Sequence, residues 1–309
     1  MLAARVAERE SQVVLGLDPD PNALWVDAAA RGRAAGGAAA GSPARAAAAA
    51  ALEHCRALID AAAPACVAVK PQLARFELMG AAGWEALEAV VMHARERGLL
   101  VIADGKRGDI DVTAQAYAGA LMSGSDSPYG RLEGLAADLL TVNPLMGRDA
   151  VEPFVRAARA VRGGVLALVR TSNAGAKDVE DLPLRDGGRV WERLARLVAE
   201  LGAAGVGGSG LSDVGAVLGA TEPWHLERAR ELMPAAVFLL PGIGAQGGRV
   251  QELAPAFAAG RAGGLVSASR SIAAAHLAHG GEPPAAARAE AERLREAAWR
   301  LSDAFVGAG

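Results

Sequence analysis

The sequence is poor in cysteine, in aromatic residues and in long apolar runs. Its 309 residues include two cysteines, and only 4% are aromatic. Two cysteines in a chain of this length do not make a disulfide framework, which predicts a reducing, cytoplasmic environment. No apolar run approaches the roughly 18 residues of a membrane-spanning helix. The first ten residues carry acidic side chains where a secretory signal needs an apolar stretch, so neither export nor a membrane span is predicted.

An excess of positive charge is also missing. The formal net charge is −3 at pH 7, which predicts no recruitment of nucleic acid or of an anionic membrane surface. The chain is 52% hydrophobic and 22% charged. That balance is typical of globular proteins and excludes a disordered or fibrous chain.

Lysine is scarce as well. Lys and Arg together number 32, but only three of them are lysines, at Lys70, Lys106 and Lys177. A position that keeps lysine is therefore a candidate for chemistry that arginine cannot perform, because the ammonium group can change its pKa and transfer its proton. The alternative is that the three lysines were retained by chance. That alternative becomes weaker if the lysines occupy positions where chemistry is expected.

What the sequence does contain is an alternation of short apolar runs and helical patterns. The runs VVLGL, CVAV, LLVIA, LLTV, VLALV and VFLL are apolar on both faces, as in parallel strands that are buried on both sides. Helical stripes separate them, including one with Val151, Phe154, Val155, Ala158 and Val161 on one face and a last helix over 285–305. Eight strands are predicted, at 13–18, 66–70, 99–104, 139–143, 165–171, 214–219, 238–241 and 264–267.

Eight βα repeats in roughly 300 residues predict an α/β fold of the (β/α)8 TIM-barrel type, with one domain over residues 1–309. A doubly wound open sheet is the alternative. Residues 28–51 consist almost entirely of Ala, Gly and Arg. We interpret this segment as an inserted surface loop that leads into the first alanine-rich helix.

Chemistry in a parallel barrel takes place at the carboxyl ends of the strands. Lys70 and Lys106 both lie there, beside Asp104 and Asp109, and an ordinary structural ion pair is the alternative interpretation. On an extended segment Asp104 and Lys106 would point the same way. A substrate carboxylate would be forced against Asp104, and a carbanion formed nearby would meet an ammonium able to protonate it. Other polar residues at predicted strand ends are Asp18, Asn143, Ser172 and Arg270.

A glycine-rich stretch, GIGAQGG at 242–248, follows the seventh predicted strand. Glycines let backbone N–H groups approach an anion closely, and barrels often bind phosphate with the loops after strands seven and eight. Arg270 further along suits a phosphomonoester better than a dinucleotide, which would call for an acidic residue. A plain turn would explain the glycines but not Gln246 or Arg270. The five histidines avoid the predicted strand ends, so no metal site is predicted.

These residues together resemble a known enzyme family. The stretch DGKRGDI at 104–110 is similar to the D-x-K-R-x-D-I signature of the orotidine 5′-phosphate decarboxylases. Further similar stretches occur in the expected order along nearly the whole chain, and their sequences and spacing look most like those of the longer bacterial type 2 subfamily. They are LGLDPDP, VKPQ, TVNPLMG, RTSNAGA, LPGIGAQGG and SASRSI.

The resemblance implies a homodimeric (β/α)8 barrel that converts orotidine 5′-phosphate to uridine 5′-phosphate and CO2 without cofactor or metal, the last step of de novo UMP synthesis. It implies that Lys106 protonates C6 of the pyrimidine and that Asp104 crowds the departing carboxylate. It implies that the two active sites are shared across the dimer, with Asp109 contributed by the other subunit. The implied charged array consists of Lys70, Asp104, Lys106 and Asp109. The implied substrate-binding residues are Asp18 and the partner subunit's Thr113 at the ribose hydroxyls, Ser172 at the pyrimidine edge, Gln246, Gly247 and Arg270 at the phosphate, and also Ile110.

Three positions depart from the family pattern, namely Gly105, Ala174 and Ser271, and none of them removes a charged group. Two other functions stay open. One is a Mg2+-dependent sugar-phosphate decarboxylase or aldolase of the same barrel superfamily, which would want an acidic metal ligand where Lys70 stands. The other is a phosphate-binding barrel without catalysis, which predicts a damaged charge array.

Overall fold

A closed barrel of eight parallel strands forms the body of the protein. The computed structural model describes residues 1–36, 42–219, 223–243 and 248–305. The barrel is closed where β1 pairs with β10, in the register Val13 to Val266. Around the barrel the strands follow the order β1, β2, β3, β6, β7, β8, β9, β10. Their bounds are β1 Val13–Leu17, β2 Ala68–Pro71, β3 Leu100–Arg107, β6 Leu139–Val142, β7 Gly164–Arg170, β8 Val214–Leu218, β9 Phe238–Leu240 and β10 Gly264–Ala268.

The predicted fold class is confirmed, and the open-sheet alternative is wrong. All eight predicted strands form, and their ends differ from the prediction by at most three residues. The structure adds a hairpin of two short antiparallel strands, β4 (Ser125–Ser127) and β5 (Gly130–Leu132). Because these three-residue strands are polar and largely exposed, they carry no apolar pattern that could have predicted them.

Helices surround the barrel. In the described residues the longest are those after β1, β2 and β10, and two of the shortest lie directly at strand ends. They are α1 Leu2–Arg9, α2 Val26–Gly36, α3 Pro43–Ala62, α4 Leu73–Glu77, α5 Gly80–Glu96, α6 Asp111–Ala118, α7 Arg148–Ala160, α8 Ala176–Val179, α9 Val190–Gly202, α10 Pro223–Leu232, α11 Arg270–Ala273, α12 Ala275–His279 and α13 Pro283–Asp303, with a 3₁₀ segment over Val250–Ala259.

The predicted stripe on α7 packs as expected, except at its end. Val151, Phe154 and Val155 are buried between helix and sheet. Val161 is 42% exposed because it lies one residue beyond the last helical residue, where the helical periodicity no longer holds.

The loop interpretation is wrong for the described part of the alanine-rich segment. Residues 28–36 belong to α2, and residues 43–51 form the first turns of α3. The absence of large side chains is what lets the two helices approach. A Cβ on Gly32 would lie 2.3 Å from Cα of Ala50. The small residues thus make a close helix–helix contact rather than an irregular loop.

The side chains that face the barrel axis are apolar inside the barrel and polar at the carboxyl ends of several strands. Alternate residues of a strand share one face, so the residue two positions after an interior side chain also faces the barrel axis. Three strands each lead in this way from a buried apolar residue to a buried polar one. The pairs are Ala68 and Lys70 on β2, Ile102 and Asp104 on β3, and Leu139 and Thr141 on β6.

Within the described ranges, every helix is too short or too polar to cross a membrane.

Candidate active site

The carboxylate of Asp104 is the centre of a hydrogen-bonded cluster at the carboxyl end of the barrel. Lys70 donates from Nζ to Oδ2 at 2.6 Å, and Lys106 donates from Nζ to Oδ1 at 2.6 Å. Gln72 adds a bond from Nε2 to Oδ2 at 3.2 Å, and the hydroxyl of Thr141 one to Oδ1 at 2.9 Å. Each carboxylate oxygen therefore accepts two bonds, one of them from an ammonium group.

This environment keeps Asp104 ionised. Burial by itself would raise its pKa, but the two ammonium charges and their hydrogen bonds outweigh burial and lower the pKa from 3.8 to about 2. The side chain of Lys70 is only 10% exposed, whereas that of Lys106 is 44% exposed. Lys70 is thus enclosed beside the carboxylate, and Lys106 presents its ammonium to the open end of the barrel.

The backbone at Lys106 is not the extended segment that the sequence predicts. Lys106 has φ +48°, and the pairing of β3 with β6 shifts register between Ala103 and Arg107. The backbone N–H of Lys106 donates at 2.9 Å to the side-chain hydroxyl of Thr141 on the neighbouring strand β6. The two side chains still meet, as predicted, but through a bulge.

Sequence reasoning missed Gln72 and Thr141. Both lie in stretches that carry the resemblance, VKPQ and TVNPLMG, yet neither was selected as a site residue. Thr141 follows the interior residue Leu139 by two positions, so strand periodicity could have found it. Gln72 lies beside Asp104 because the two residues form a parallel β-bridge. No local sequence pattern reveals a pairing between residues so far apart in the chain.

Within one chain the Asp109 side chain makes no hydrogen bond or ion pair with Lys70 or Lys106. Asp109 accepts the backbone N–H of Ile110 at 2.8 Å, and among the described residues its side chain makes no other hydrogen bond or ion pair. Ile110 and Thr113 are exposed at the start of α6. The structure of one chain therefore does not bring Asp109 to the cluster around Asp104.

Asp18 directly follows β1 at the same end of the barrel. Its Oδ1 is buried and has no hydrogen-bond partner in the part of the chain that the structure describes. A buried carboxylate oxygen without a donor is unusual in proteins. The atom is therefore available to accept a hydrogen bond from a bound molecule.

Ser172 lies at the start of a loop that is fixed by hydrogen bonds of the two preceding residues and by contact with the end of β8. Arg170 donates to both carboxylate oxygens of Asp181 at 2.9 Å, and Glu180 accepts the backbone N–H of Thr171 at 2.8 Å. The end of β8 packs against Ser172 so closely that a Cβ on Gly219 would lie 2.9 Å from its Cα. These contacts hold Ser172 at the rim of the barrel.

The predicted phosphate loop is described only at its base. Gln246 and Gly247 lie outside the described residues. At the base, Gly248 donates its backbone N–H to the carbonyl of Gly242 at 3.2 Å, and Gly242 has φ +99°. Arg270 opens α11 shortly after β10 and is exposed, and its side chain makes no hydrogen bond or ion pair among the described residues.

The structure gives a local reason for one of the three departures. A Cβ on Gly105 would lie 2.8 Å from Cδ1 of Leu73, so alanine there would require Leu73 to move. The Ser271 hydroxyl is buried without a partner among the described residues. Ala174 is exposed, and nothing in the structure explains it.

Chemically, the arrangement combines a fixed negative charge with a proton donor. Asp104 would repel a second carboxylate placed beside it, and Lys106 can deliver a proton to a nearby carbanion. Within the described ranges, no group of three or more His, Cys, Asp or Glu side chains could hold a metal ion.

Comparisons with known proteins agree with this arrangement. The model of the orotidine 5′-phosphate decarboxylase / HUMPS family matches residues 11–288. An orotidine 5′-phosphate decarboxylase of Deinococcus radiodurans is 45% identical over 252 residues, which are 81% of this chain and 83% of that protein. One of Azoarcus sp. (strain BH72) is 38% identical over 303 residues, 96% of this chain and 97% of that protein.

A solved structure extends the similarity to three dimensions. The OMP decarboxylase of Leishmania donovani superimposes with a TM-score of 0.70 at 31% sequence identity, covering 98% of this chain and 99% of that chain. The family match spans most of the sequence and includes every strand of the barrel. The chain therefore belongs to the orotidine 5′-phosphate decarboxylase / HUMPS family.

Proposed function

We propose that this protein is a carboxy-lyase that converts orotidine 5′-phosphate to uridine 5′-phosphate and CO2. The observation that carries the proposal is the pair of ammonium groups, Lys70 and Lys106, each 2.6 Å from one oxygen of the buried Asp104. The bond between C6 and the carboxyl carbon breaks, and its electron pair stays on C6. Lys106 donates its proton to C6, and CO2 leaves.

Asp104 and Lys70 prepare the site for this step. Because Asp104 stays ionised, it repels the substrate carboxylate next to it and favours its departure. Lys70 holds Asp104 in place and supplies positive charge beside the reacting centre. As the substrate loses its negative carboxylate, negative charge develops at C6, where Lys106 stabilises it before transferring the proton.

The remaining residues would bind the parts of the nucleotide that do not react. Asp18, with its unpartnered oxygen, accepts a ribose hydroxyl, and Ser172 binds the edge of the pyrimidine. Arg270 binds the phosphate with Gln246 and the backbone at Gly247. Binding energy from these distant contacts lowers the barrier at C6 when the contacts improve in the transition state.

The active site is completed by a second copy of the chain, whose Asp109, Ile110 and Thr113 reach the first. Two observations support this. The Lys106 side chain is 44% exposed, and Asp109 of the same chain makes no hydrogen bond or ion pair with it. Ile110 is 56% exposed and Val112 is 70% exposed beside the site. Neighbouring exposed apolar side chains are typical of an interface.

The reaction is proposed to need no cofactor or metal, and the protein is proposed to work in the cytoplasm. Decarboxylation here uses only charges that the chain supplies. Cys55 and Cys66 are both buried and free, and burial raises the pKa of the Cys66 thiol to about 12. Buried, unpaired thiols agree with a reducing compartment.

The Mg2+-dependent sugar-phosphate enzymes and the non-catalytic barrel are less well supported. The end of β2 carries Lys70 in an ion pair rather than an acidic metal ligand. The relatives named above are decarboxylases, and the charged cluster is intact.

The test is an absorbance assay for loss of orotidine 5′-phosphate in the presence of EDTA. We expect turnover by the wild type and a decrease of about 10²- to 10⁴-fold or more in kcat for Lys106→Ala, because the proton donor is removed. Lys177→Ala is the matched control, since Lys177 is exposed and makes no ion pair among the described residues. No turnover by a protein that still binds uridine 5′-phosphate would favour the non-catalytic barrel. Neither turnover nor binding of uridine 5′-phosphate would favour the sugar-phosphate enzymes.

A further inference from the structure

The hydroxyl of Thr141 connects the two parts of the charged cluster. Thr141 lies on β6, is 1% exposed, and sits between the side chain of Asp104 and the backbone of Lys106. Its Oγ1 is 2.9 Å from Oδ1 of Asp104 and 2.9 Å from the backbone nitrogen of Lys106. One hydroxyl group therefore contacts both residues proposed to act on the substrate carboxylate and on C6.

The direction of these two bonds is determined by their chemistry. A backbone N–H can only donate, so the Thr141 oxygen accepts the bond from Lys106. An ionised carboxylate can only accept, so the single hydroxyl proton is donated to Asp104. The hydroxyl is thus used in both of its roles, and its proton has one orientation.

The bond from Lys106 also supports an unusual backbone conformation. A non-glycine residue at φ +48° is less stable than one in the usual regions and persists only where its surroundings hold it. The bulge removes the Lys106 N–H from the strand pairing. The Thr141 oxygen accepts that N–H, so losing the hydroxyl would remove a hydrogen bond that holds the bulge and, with it, the direction in which the Lys106 side chain reaches Asp104.

We propose that Thr141 is a positioning residue for the decarboxylation. It does not touch the substrate, but it holds the Asp104 carboxylate and the Lys106 backbone in one fixed relation. This inference rests on the proposed function. Wild-type turnover tests that function, whereas the role of Thr141 is tested by comparing variants with the wild type.

The experiment compares Thr141→Val, which keeps the shape and removes the hydroxyl, with Thr141→Ser, which keeps the hydroxyl. For Thr141→Val we expect kcat to fall by about 10- to 100-fold, the effect of losing a hydrogen bond to a charged group. The dissociation constant for uridine 5′-phosphate should change by less than about threefold, because no binding contact is removed. Thr141→Ser should recover most of kcat.

A second readout isolates the proton transfer. Exchange of the C6 hydrogen of uridine 5′-phosphate for deuterium in D2O runs the final step in reverse and needs no bond to the carboxyl carbon. NMR should show this exchange slowed in Thr141→Val in parallel with kcat and restored in Thr141→Ser. If Thr141→Val does not fold, Thr141→Ala replaces it in both measurements.

Ser11 offers a matched control at the opposite end of the barrel. Its fully buried hydroxyl likewise donates to a carbonyl, that of Ala65 at 2.6 Å, and accepts a backbone N–H, that of Val13 at 3.0 Å. Ser11→Ala should lower the melting temperature and leave kcat within about threefold of the wild type. The proposal is overturned if Thr141→Val retains near-wild-type kcat, or if Thr141→Ser is as slow as Thr141→Val.

Discussion

Asp104 shows how single residues are tuned in this protein. Its carboxylate is buried, yet four donors and two positive charges surround it, so the ionised form is the stable one. The resulting pKa of about 2 is below the ordinary value of 3.8. A group whose pKa is lower in the folded state stabilises the fold above its unfolded pKa and loses that stabilisation as the pH falls towards its folded pKa.

We therefore expect Asp104 to contribute acid-sensitive stability. Between about pH 5 and pH 2 the wild type should lose about 2 kcal/mol of unfolding free energy through this group alone. Urea unfolding across that range measures the effect.

Asp104→Asn is the reference for this measurement, because it keeps every other titrating group, including the buried His54, whose pKa burial lowers to about 4. The variant should be less stable than the wild type at pH 5, since Lys70 loses its partner, and should show a smaller further loss on acidification. Equal acid losses in the two proteins would contradict the assignment.

Arg230 shows how one side chain joins several elements. It is 9% exposed and donates to the carbonyls of Ala236 at 2.7 Å, Ala256 at 2.6 Å and Gly263 at 3.1 Å. Its guanidinium also lies 3.8 Å from the centre of the Phe238 ring. Burial without a carboxylate partner among the described residues lowers its pKa to about 10. The side chain thus ties the end of α10 to the segments that precede β9 and β10.

Replacing Arg230 with methionine should destabilise the protein by about 3 kcal/mol or more, because several buried carbonyl groups lose their donors. Thermal unfolding should begin roughly 5–10 °C lower. Arg230→Lys should have an intermediate stability, since an ammonium group has three N–H donors and lacks the planar, forked arrangement of the five guanidinium donors. Arg249→Met is the control, because in the described part of the chain the exposed Arg249 side chain pairs with Glu252 alone. A change no larger than in this control would show that the carbonyl contacts contribute little.

The molecule as a whole presents an open site on one side. Two lysines, Gln72 and Thr141 surround Asp104, but Asp109 does not bond to this cluster, and the neighbouring Ile110 and Val112 are exposed. If a second copy covers this face, each site contains Lys106 of one chain and Asp109 of the other.

That arrangement predicts complementation between two inactive variants. When Lys106→Ala and Asp109→Ala proteins are unfolded and refolded together, each heterodimer should contain one site with both residues intact. A statistical mixture should recover about one quarter of wild-type specific activity. Each variant refolded alone supplies the baseline, and sedimentation checks that dimers form. Dimers without recovered activity would argue against a shared site.

Much of this protein was determined by its sequence alone. The eight strands were predictable because parallel strands that are buried on both faces are continuous apolar runs, and most of them end at a polar residue. Lys70, Asp104 and Lys106 could be selected because lysine is scarce in the chain and because strand ends converge in a barrel.

Other features were decided only by the tertiary structure. The close contact of α2 with α3 at Gly32, the bulge at Lys106, and the approach of Gln72 and Thr141 to Asp104 depend on which distant segments become neighbours. Local periodicity is a property of a short stretch of sequence, so it can be predicted directly. Register between strands and the hydrogen bonds across them are set when the whole barrel closes, because only then do residues separated by more than thirty positions share one carboxylate.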